Sequence, residues 1–299
     1  MTDTKSRIAA YAARVEQYIT EQLAAIKSRR GALATDDVFA AMHHSLSAGG
    51  KRIRPALIYA FCEACGGTPE MADAAACAME MSHTASLIFD DLPSFDDDDL
   101  RRNQPSCHKA FGEATAILAG YGLICAPFEI IARDPHLSAE QKTALVQLLA
   151  ECEGVNGMVG GQLMDKHFEN RESVTLEELQ TMCLGKTGAL IQASCKMGCI
   201  CGGGTDEQIK AAGNYGKSVG LAFQIIDDIL DVTSTEEQLG KPIGSDAEEN
   251  KFTFVNLLGI DQAKTTASAV SAQAHSELDC FPDAAFLHDM ADTLLVRVQ

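Results

Sequence analysis

The sequence predicts an all-α fold, and three observations carry that reading. Only 8 prolines occur in 299 residues. Alternating β-branched runs are scarce, and Ala-rich stretches such as Met71 to Met81 and Ala263 to Glu277 favour helix. No Gly/Ser-rich or Pro-rich linker divides the chain, so residues 1–299 read as one large helical-bundle domain with a sizeable core.

Taken in order, the N-terminus reads as a polar amphipathic helix without an apolar signal core, and no uninterrupted apolar run looks long enough to span a bilayer. A soluble, cytoplasmic protein is expected. Gly49-Gly50-Lys51-Arg52-Ile53-Arg54-Pro55 then places three cations within four residues behind two glycines that let backbone approach a ligand. Such a run is a solvated turn or an anion site. Lys51 as a point charge and Arg54 as a two-pronged donor suit a terminal diphosphate. Cys62 and Cys65 form a CxxC and Cys195, Cys199 and Cys201 crowd together, but the eleven cysteines read chiefly as buried thiols rather than as a disulfide or zinc framework.

Two acid clusters dominate the chemistry: Asp90-Asp91 through Asp96 to Asp99, and Asp227-Asp228-Ile229-Leu230-Asp231. Each follows an apolar run. Carboxylates gathered at the ends of apolar helices repel one another and lose hydration, so a fold keeps both clusters only around something strongly cationic. Oxygen-only donors favour Mg²⁺, which binds through a few carboxylates, waters and substrate phosphates. Asp227 and Asp231 stand one turn apart on one helical face, with Gln224 nearly on the same face. Pro93 predicts that the helix bearing Asp90 and Asp91 ends there, leaving Asp96 on an irregular turn. His83 lies two turns before Asp90 on about the same face. Arg101 and Arg102 follow the first cluster, where they either neutralise the acids or face phosphate.

The remaining signals are weaker singly. Gly157-Met158-Val159-Gly160-Gly161-Gln162 reads as close helix packing, with Gln162 and Asp165 free for polar contacts. Gly185-Lys186-Thr187-Gly188 sets a cation and a hydroxyl where a helix can kink towards a ligand. Gly240-Lys241-Pro242-Ile243-Gly244-Ser245-Asp246 and Lys251 follow the second cluster. The net charge of −18 argues against a nucleic-acid surface, whose affinity comes from basic residues.

As an ordered set, GGKRIRP, HTASLIFDDLPSFDDDDLRR, FGEATAILAG, GMVGGQ, GKTG, FQIIDDILD and GKPIGSD resemble the trans-isoprenyl diphosphate synthases, the short-chain polyprenyl synthetase group that includes farnesyl and geranylgeranyl diphosphate synthases. The resemblance covers nearly the whole chain. It implies an isoprenoid-synthase bundle around a deep apolar cavity with two Asp-rich walls at its mouth. It also implies Mg²⁺, three ions with substrate bound, held by Asp90, Asp91, Asp96, Asp227 and Asp231, with Asp228 in the same motif. Arg101, Lys186, Thr187, Gln224, Lys241 and Lys251 would contact an allylic diphosphate; Lys51, Arg54, His83 and Arg102 would hold isopentenyl diphosphate. A homodimer is the family expectation.

Three positions depart from the common pattern: Phe89 replaces a His, Asn103 a Gly, and Tyr121 the Asp of AGDAL. Small Ala85, where farnesyl-making relatives carry an aromatic residue, followed by Ser86, implies a deeper pocket, C15 to C20 products, and a shortened product for Ala85→Tyr. Two competitors are a class I terpene cyclase, which needs no second basic subsite, and a non-catalytic regulatory subunit using the Cys195/Cys199 CxxxC spacing.

Overall fold

A computed structural model describes residues 2–29, 31–33, 35–233 and 251–295. The helices run α1 (Thr2–Ser28), α2 (Asp36–Ser47), α3 (Ile53–Ala64), α4 (Pro69–Asp90), α5 (Cys107–Phe111), α6 (Glu113–Arg133), α7 (Ala139–Glu153), α8 (Met158–Phe168), α9 (Leu176–Cys183), α10 (Ala189–Cys201), α11 (Asp206–Thr233), α12 (Phe254–Leu258), α13 (Ile260–Ser276) and α14 (Ala285–Leu295), with a π-helical turn at Leu184–Gly188. The all-α expectation meets one small exception. Leu100–Arg101 (β1) and Gln104–Pro105 (β2) pair as an antiparallel hairpin. Its two central residues, Arg102 and Asn103, both have positive φ, as a two-residue primed turn requires. That explains one departure: Asn tolerates the left-handed region better than other side chains, so it can stand where relatives use Gly.

Helix α4 is the spine. Pro69 starts it, where a missing N–H costs nothing. Ala72, Ala74, Ala75, Ala76, Ala78 and Ala85 along it are all fully buried, so neighbouring helices can approach from several sides. It packs against α6, α3 and α10. Helices α3 and α10 come close enough for backbone contact: a Cβ on Gly198 would sit 2.5 Å from the Ile58 carbonyl, and one on Gly202 2.4 Å from that of Cys62. Leu57, Ile58, Tyr59 and Phe61 of α3 are fully buried, each burial contributing about 1.5–3 kcal/mol. Helix α7 begins with a reciprocal cap, Ser138 accepting from the Gln141 amide and Gln141 accepting from the Ser138 amide.

One sequence expectation needs adjustment. Among the described residues α6 is long and apolar enough to cross a membrane by length and composition, against the reading that no such run exists. Its Ala116, Ala119 and Leu123 are buried, while Leu118 and Tyr121 on the other side are 55% and 60% exposed. The cysteines are free thiols, eight of them buried as expected, with Cys125 exposed on α6 and Cys65 and Cys280 half-buried.

Candidate active site

One cavity of about 1100 Å³ opens beside the C-terminal end of α4. Ser86, Leu87, Phe89, Leu190, Ile191, Val219 and Phe223 line its apolar part, and Asp90 and Asp227 stand in its wall. Lys51, Arg54, His83, Arg101, Arg102, Lys186, Thr187 and Gln224 border it too. Segments as far apart as α3, α4, the hairpin, the π-helical turn and α11 therefore converge on one space, as the motifs implied.

The first acid wall is built by α4 ending where Pro93 predicts. The chain turns back after Asp91, and the Asp96 amide donates to the Asp90 carbonyl at 2.9 Å. That bond fixes the loop position helix periodicity could not supply. Burial pushes the Asp90 carboxyl up to about 6, opposed by nearby Lys186 and reinforced by Asp96. Asp91 is buried instead and bonded by Arg101, which also reaches Asp98 at 3.0 Å. Arg101 thus neutralises acids while bordering the cavity. Asp96 sits outside the lining, at the rim, held by Lys166.

The second wall is a continuous stretch of α11. Asp227 lines the cavity, whereas Asp228 and Asp231 are buried outside its lining. Asp228 accepts from Gln224 Nε2 at 2.9 Å and from the Phe254 amide at 2.7 Å, so its carboxylate anchors the start of α12. Lys251 lies outside the lining and Lys241 outside the described residues. Among the described residues no three acid, His or Cys groups form a ready cage for a metal. Mg²⁺ binds through one or two carboxylates, with water and phosphate completing its shell. The oxygen-only wall fits such an ion.

The Gly-Lys-Thr-Gly segment is the π-helical turn, which presents Lys186 and Thr187 inward, as the expected kink would. Lys186 bonds Asp165 at 2.5 Å. Gly161 makes this possible: a Cβ there would lie 2.0 Å from the Lys186 backbone nitrogen. Helix α8 adds Gln162, whose side-chain nitrogen is buried without a hydrogen-bond partner in the structure, and Lys166. Sequence reading missed Lys166; its place four residues after Gln162 on the same face was the available signal.

The basic side separates into two uses. Arg52, between the two cations that suit a diphosphate, is turned inward by a left-handed φ of 48° and is 3% exposed. It bonds Glu80 at 2.5 Å, Glu16 at 3.0 Å and the Leu46 carbonyl at 2.7 Å. Arg52, Arg54 and Arg102 all border the cavity. Arg54 Nε is buried with no hydrogen-bond partner, and Arg102 reaches the Gly49 carbonyl over Gly50, where a Cβ would meet its guanidinium at 2.8 Å. Burial, with Arg54 and Arg102 next, holds His83 well below its ordinary range, so its imidazole is neutral.

Ala85 is fully buried but does not line the cavity; Ser86 does. The departures Phe89 and Tyr121 meet each other edge-to-face, centroids 6.0 Å apart. Phe89 lies against Gly120, where a Cβ would come within 2.5 Å of its ring.

The profile of the family described as polyprenyl synthetase matches residues 36–280. The chain is 41% identical to "Farnesyl diphosphate synthase" of Haemophilus influenzae, covering 95% of each. It is 45% identical to "Geranylgeranyl pyrophosphate synthase, chloroplastic" of Catharanthus roseus over 79% of this chain and 67% of that one. Among solved structures, geranylgeranyl pyrophosphate synthetase from Pyrococcus horikoshii superposes with a TM-score of 0.89 at 31% identity, covering 98% of both chains. With that match over most of its length, the chain belongs to the polyprenyl synthetase family.

Proposed function

We propose that this chain is a trans-isoprenyl diphosphate synthase that joins isopentenyl diphosphate head-to-tail (1'-4) to an allylic diphosphate, dimethylallyl, geranyl or farnesyl, and releases diphosphate. The product is farnesyl or geranylgeranyl diphosphate. The observation that carries it is the single cavity bordered by two anion-binding sets, with an apolar interior between them. One set is Lys186, Thr187, Gln224 and Arg101 beside Asp90 and Asp227; the other is Lys51, Arg54, Arg102 and His83.

The first set binds the allylic diphosphate, joined by Lys251 and Lys241. Asp90, Asp91, Asp96, Asp227 and Asp231 are the proposed Mg²⁺ ligands, with Asp228 supporting their wall. Bound there, Mg²⁺ supplies positive charge that offsets the negative charge developing on the leaving diphosphate. Lys186 and Arg101 add fixed cations aimed at the same oxygens. The allylic C–O bond breaks and its electron pair leaves with the diphosphate. Phe89, Phe223, Leu190 and Val219 keep water from the resulting carbocation.

The second set holds isopentenyl diphosphate so that its double bond attacks the cation, and a proton is then lost to the released diphosphate. Neutral His83 gives a hydrogen bond without adding a further charge among the arginines.

We further propose a homodimer through the exposed apolar side of α6, checked by light scattering, and a cytoplasmic location, checked by fractionation. The test of function is product analysis with Mg²⁺, labelled isopentenyl diphosphate and each allylic substrate separately. C15 or C20 products support the reading. No elongation by folded protein overturns it in favour of a cyclase or regulatory subunit; against the latter, Cys195 and Cys199 are buried.

A further inference from the structure

Lys166 projects from α8 to the rim of the cavity, and its side chain is 22% exposed. Its ammonium lies 3.1 Å from Asp96 Oδ1, 3.0 Å from the Phe95 carbonyl oxygen and 2.8 Å from Glu169 Oε1. An ammonium has three N–H bonds, so these contacts occupy all of its donors. Two of the three acceptors belong to the loop that follows α4. The Asp96 amide bonds the Asp90 carbonyl, which holds the backbone of Asp96 beside Lys166. In the free protein the charge of Asp96 is therefore already balanced by a cation of the chain itself.

A divalent ion reaching Asp96 must displace that ammonium or sit beside it, and two cations on one carboxylate repel. The displaced ammonium needs another anion. It borders the same cavity as Lys186, Arg101 and Asp90, where a diphosphate would offer one.

We propose that Lys166 is a resident counter-ion for Asp96 that weakens cation loading of the first acid wall in the free enzyme and ties that loading to the arrival of diphosphate. It acts through Asp96 and touches no reacting atom, which makes it a positioning residue. This inference rests on reading Asp96 as a metal ligand. An ion pair as partly exposed as this one sets the scale of the effect, about two- to fivefold in cation affinity.

The experiment measures Mn²⁺ binding to the full chain by electron paramagnetic resonance of the free ion, for wild type, K166M and K166R, with and without inorganic diphosphate. Chelation of Mn²⁺ in solution is common to all three proteins and cancels in their comparison. Without diphosphate, K166M should bind Mn²⁺ about two- to fivefold more tightly than wild type, and K166R should match wild type. Diphosphate should tighten Mn²⁺ binding more in wild type than in K166M, because only wild type has an ammonium to re-home. Equal affinities in wild type and K166M, or weaker binding by K166M, would overturn the counter-ion role while leaving the metal site standing. Failure of Mn²⁺ to bind any of the three, with or without diphosphate, overturns the metal reading of Asp96 and the proposal with it.

Discussion

Removing the guanidinium of Arg52 tests how the basic side of the cavity is held. The side chains of Arg52 and Glu80 are 1% and 3% exposed, and the guanidinium is shared with half-exposed Glu16 and the Leu46 carbonyl. Arg52→Ala leaves the Glu80 carboxylate buried without its cation, a change that costs about 3–5 kcal/mol. That is a large share of a total stability of roughly 5–15 kcal/mol. At roughly 2 °C per kcal/mol for a chain of this size, the midpoint of thermal unfolding should fall by about 6–10 °C. Glu16→Gln, at the exposed end of the same guanidinium, should cost no more than about 1 kcal/mol. Because Arg52 lies between Lys51 and Arg54, its loss should also raise KM for isopentenyl diphosphate more than it lowers kcat. The double variant Arg52→Met with Glu80→Leu separates the two effects. It removes both charges and should recover much of the stability without restoring KM. Circular dichroism melts and steady-state kinetics read both quantities. An Arg52→Ala midpoint within 2 °C of wild type, with KM unchanged, refutes the reasoning.

Burial lifts the Glu153 carboxyl from its ordinary value near 4.5 to about 7. Between those values the folded chain binds more protons than the unfolded one, so wild-type stability falls as pH rises from about 4.5 to 7 and is flat above. Glu153→Gln lacks this loss, and its stability relative to wild type should grow by roughly 3 kcal/mol across that window in urea titrations; parallel curves would sink the assignment. Ser86→Phe should shorten the product, because Ser86 lines the cavity. Ala85→Tyr should chiefly overpack the core, lowering stability by about 1–3 kcal/mol; a shortened product at full stability would return Ala85 to the cavity floor. Gly161→Ala forces a methyl to within 2.0 Å of the Lys186 backbone nitrogen. Displacing Lys186 should reduce kcat/KM for the allylic substrate by about 100-fold, and unaltered kinetics would show that α8 can yield.

Features decided within one helix turn or by one backbone dihedral were legible in the sequence. Pro93 located the end of α4, the glycines of residues 157–161 announced the close packing of α8, and Gly185 to Gly188 became a distorted turn. What escaped was decided between segments. Lys51, Arg52 and Arg54 lie within four residues, yet the left-handed φ of Arg52 turns its guanidinium onto Glu80, 28 residues away. Asp228 shares a motif with Asp227, but its carboxylate is taken by an amide 26 residues later. Lys166 and Asp96 are 70 residues apart. Periodicity assigns residues to faces of a helix, and only packing decides which face meets the cavity; hence Ser86 lines it and Ala85 does not.

On the proposed function, helix α4 also gives the two anion sites a fixed separation. Glu80, His83, Ser86, Leu87 and Asp90 all border the cavity, and their spacing of three, three, one and three residues keeps them along one face. At 1.5 Å per residue, His83 and Asp90 are about 10 Å apart along the axis. That interval separates the basic side, which Glu80 secures through Arg52, from the acid side. The fully buried alanines on the other faces of α4 seat it against its neighbours with little room to slide. The apolar Leu87 and the small Ser86 occupy the interval itself. On the proposed function, the same helix spaces the two diphosphates and forms the wall along which the growing chain lies, so a change of side-chain size at Ser86 should alter product length without moving either anion site.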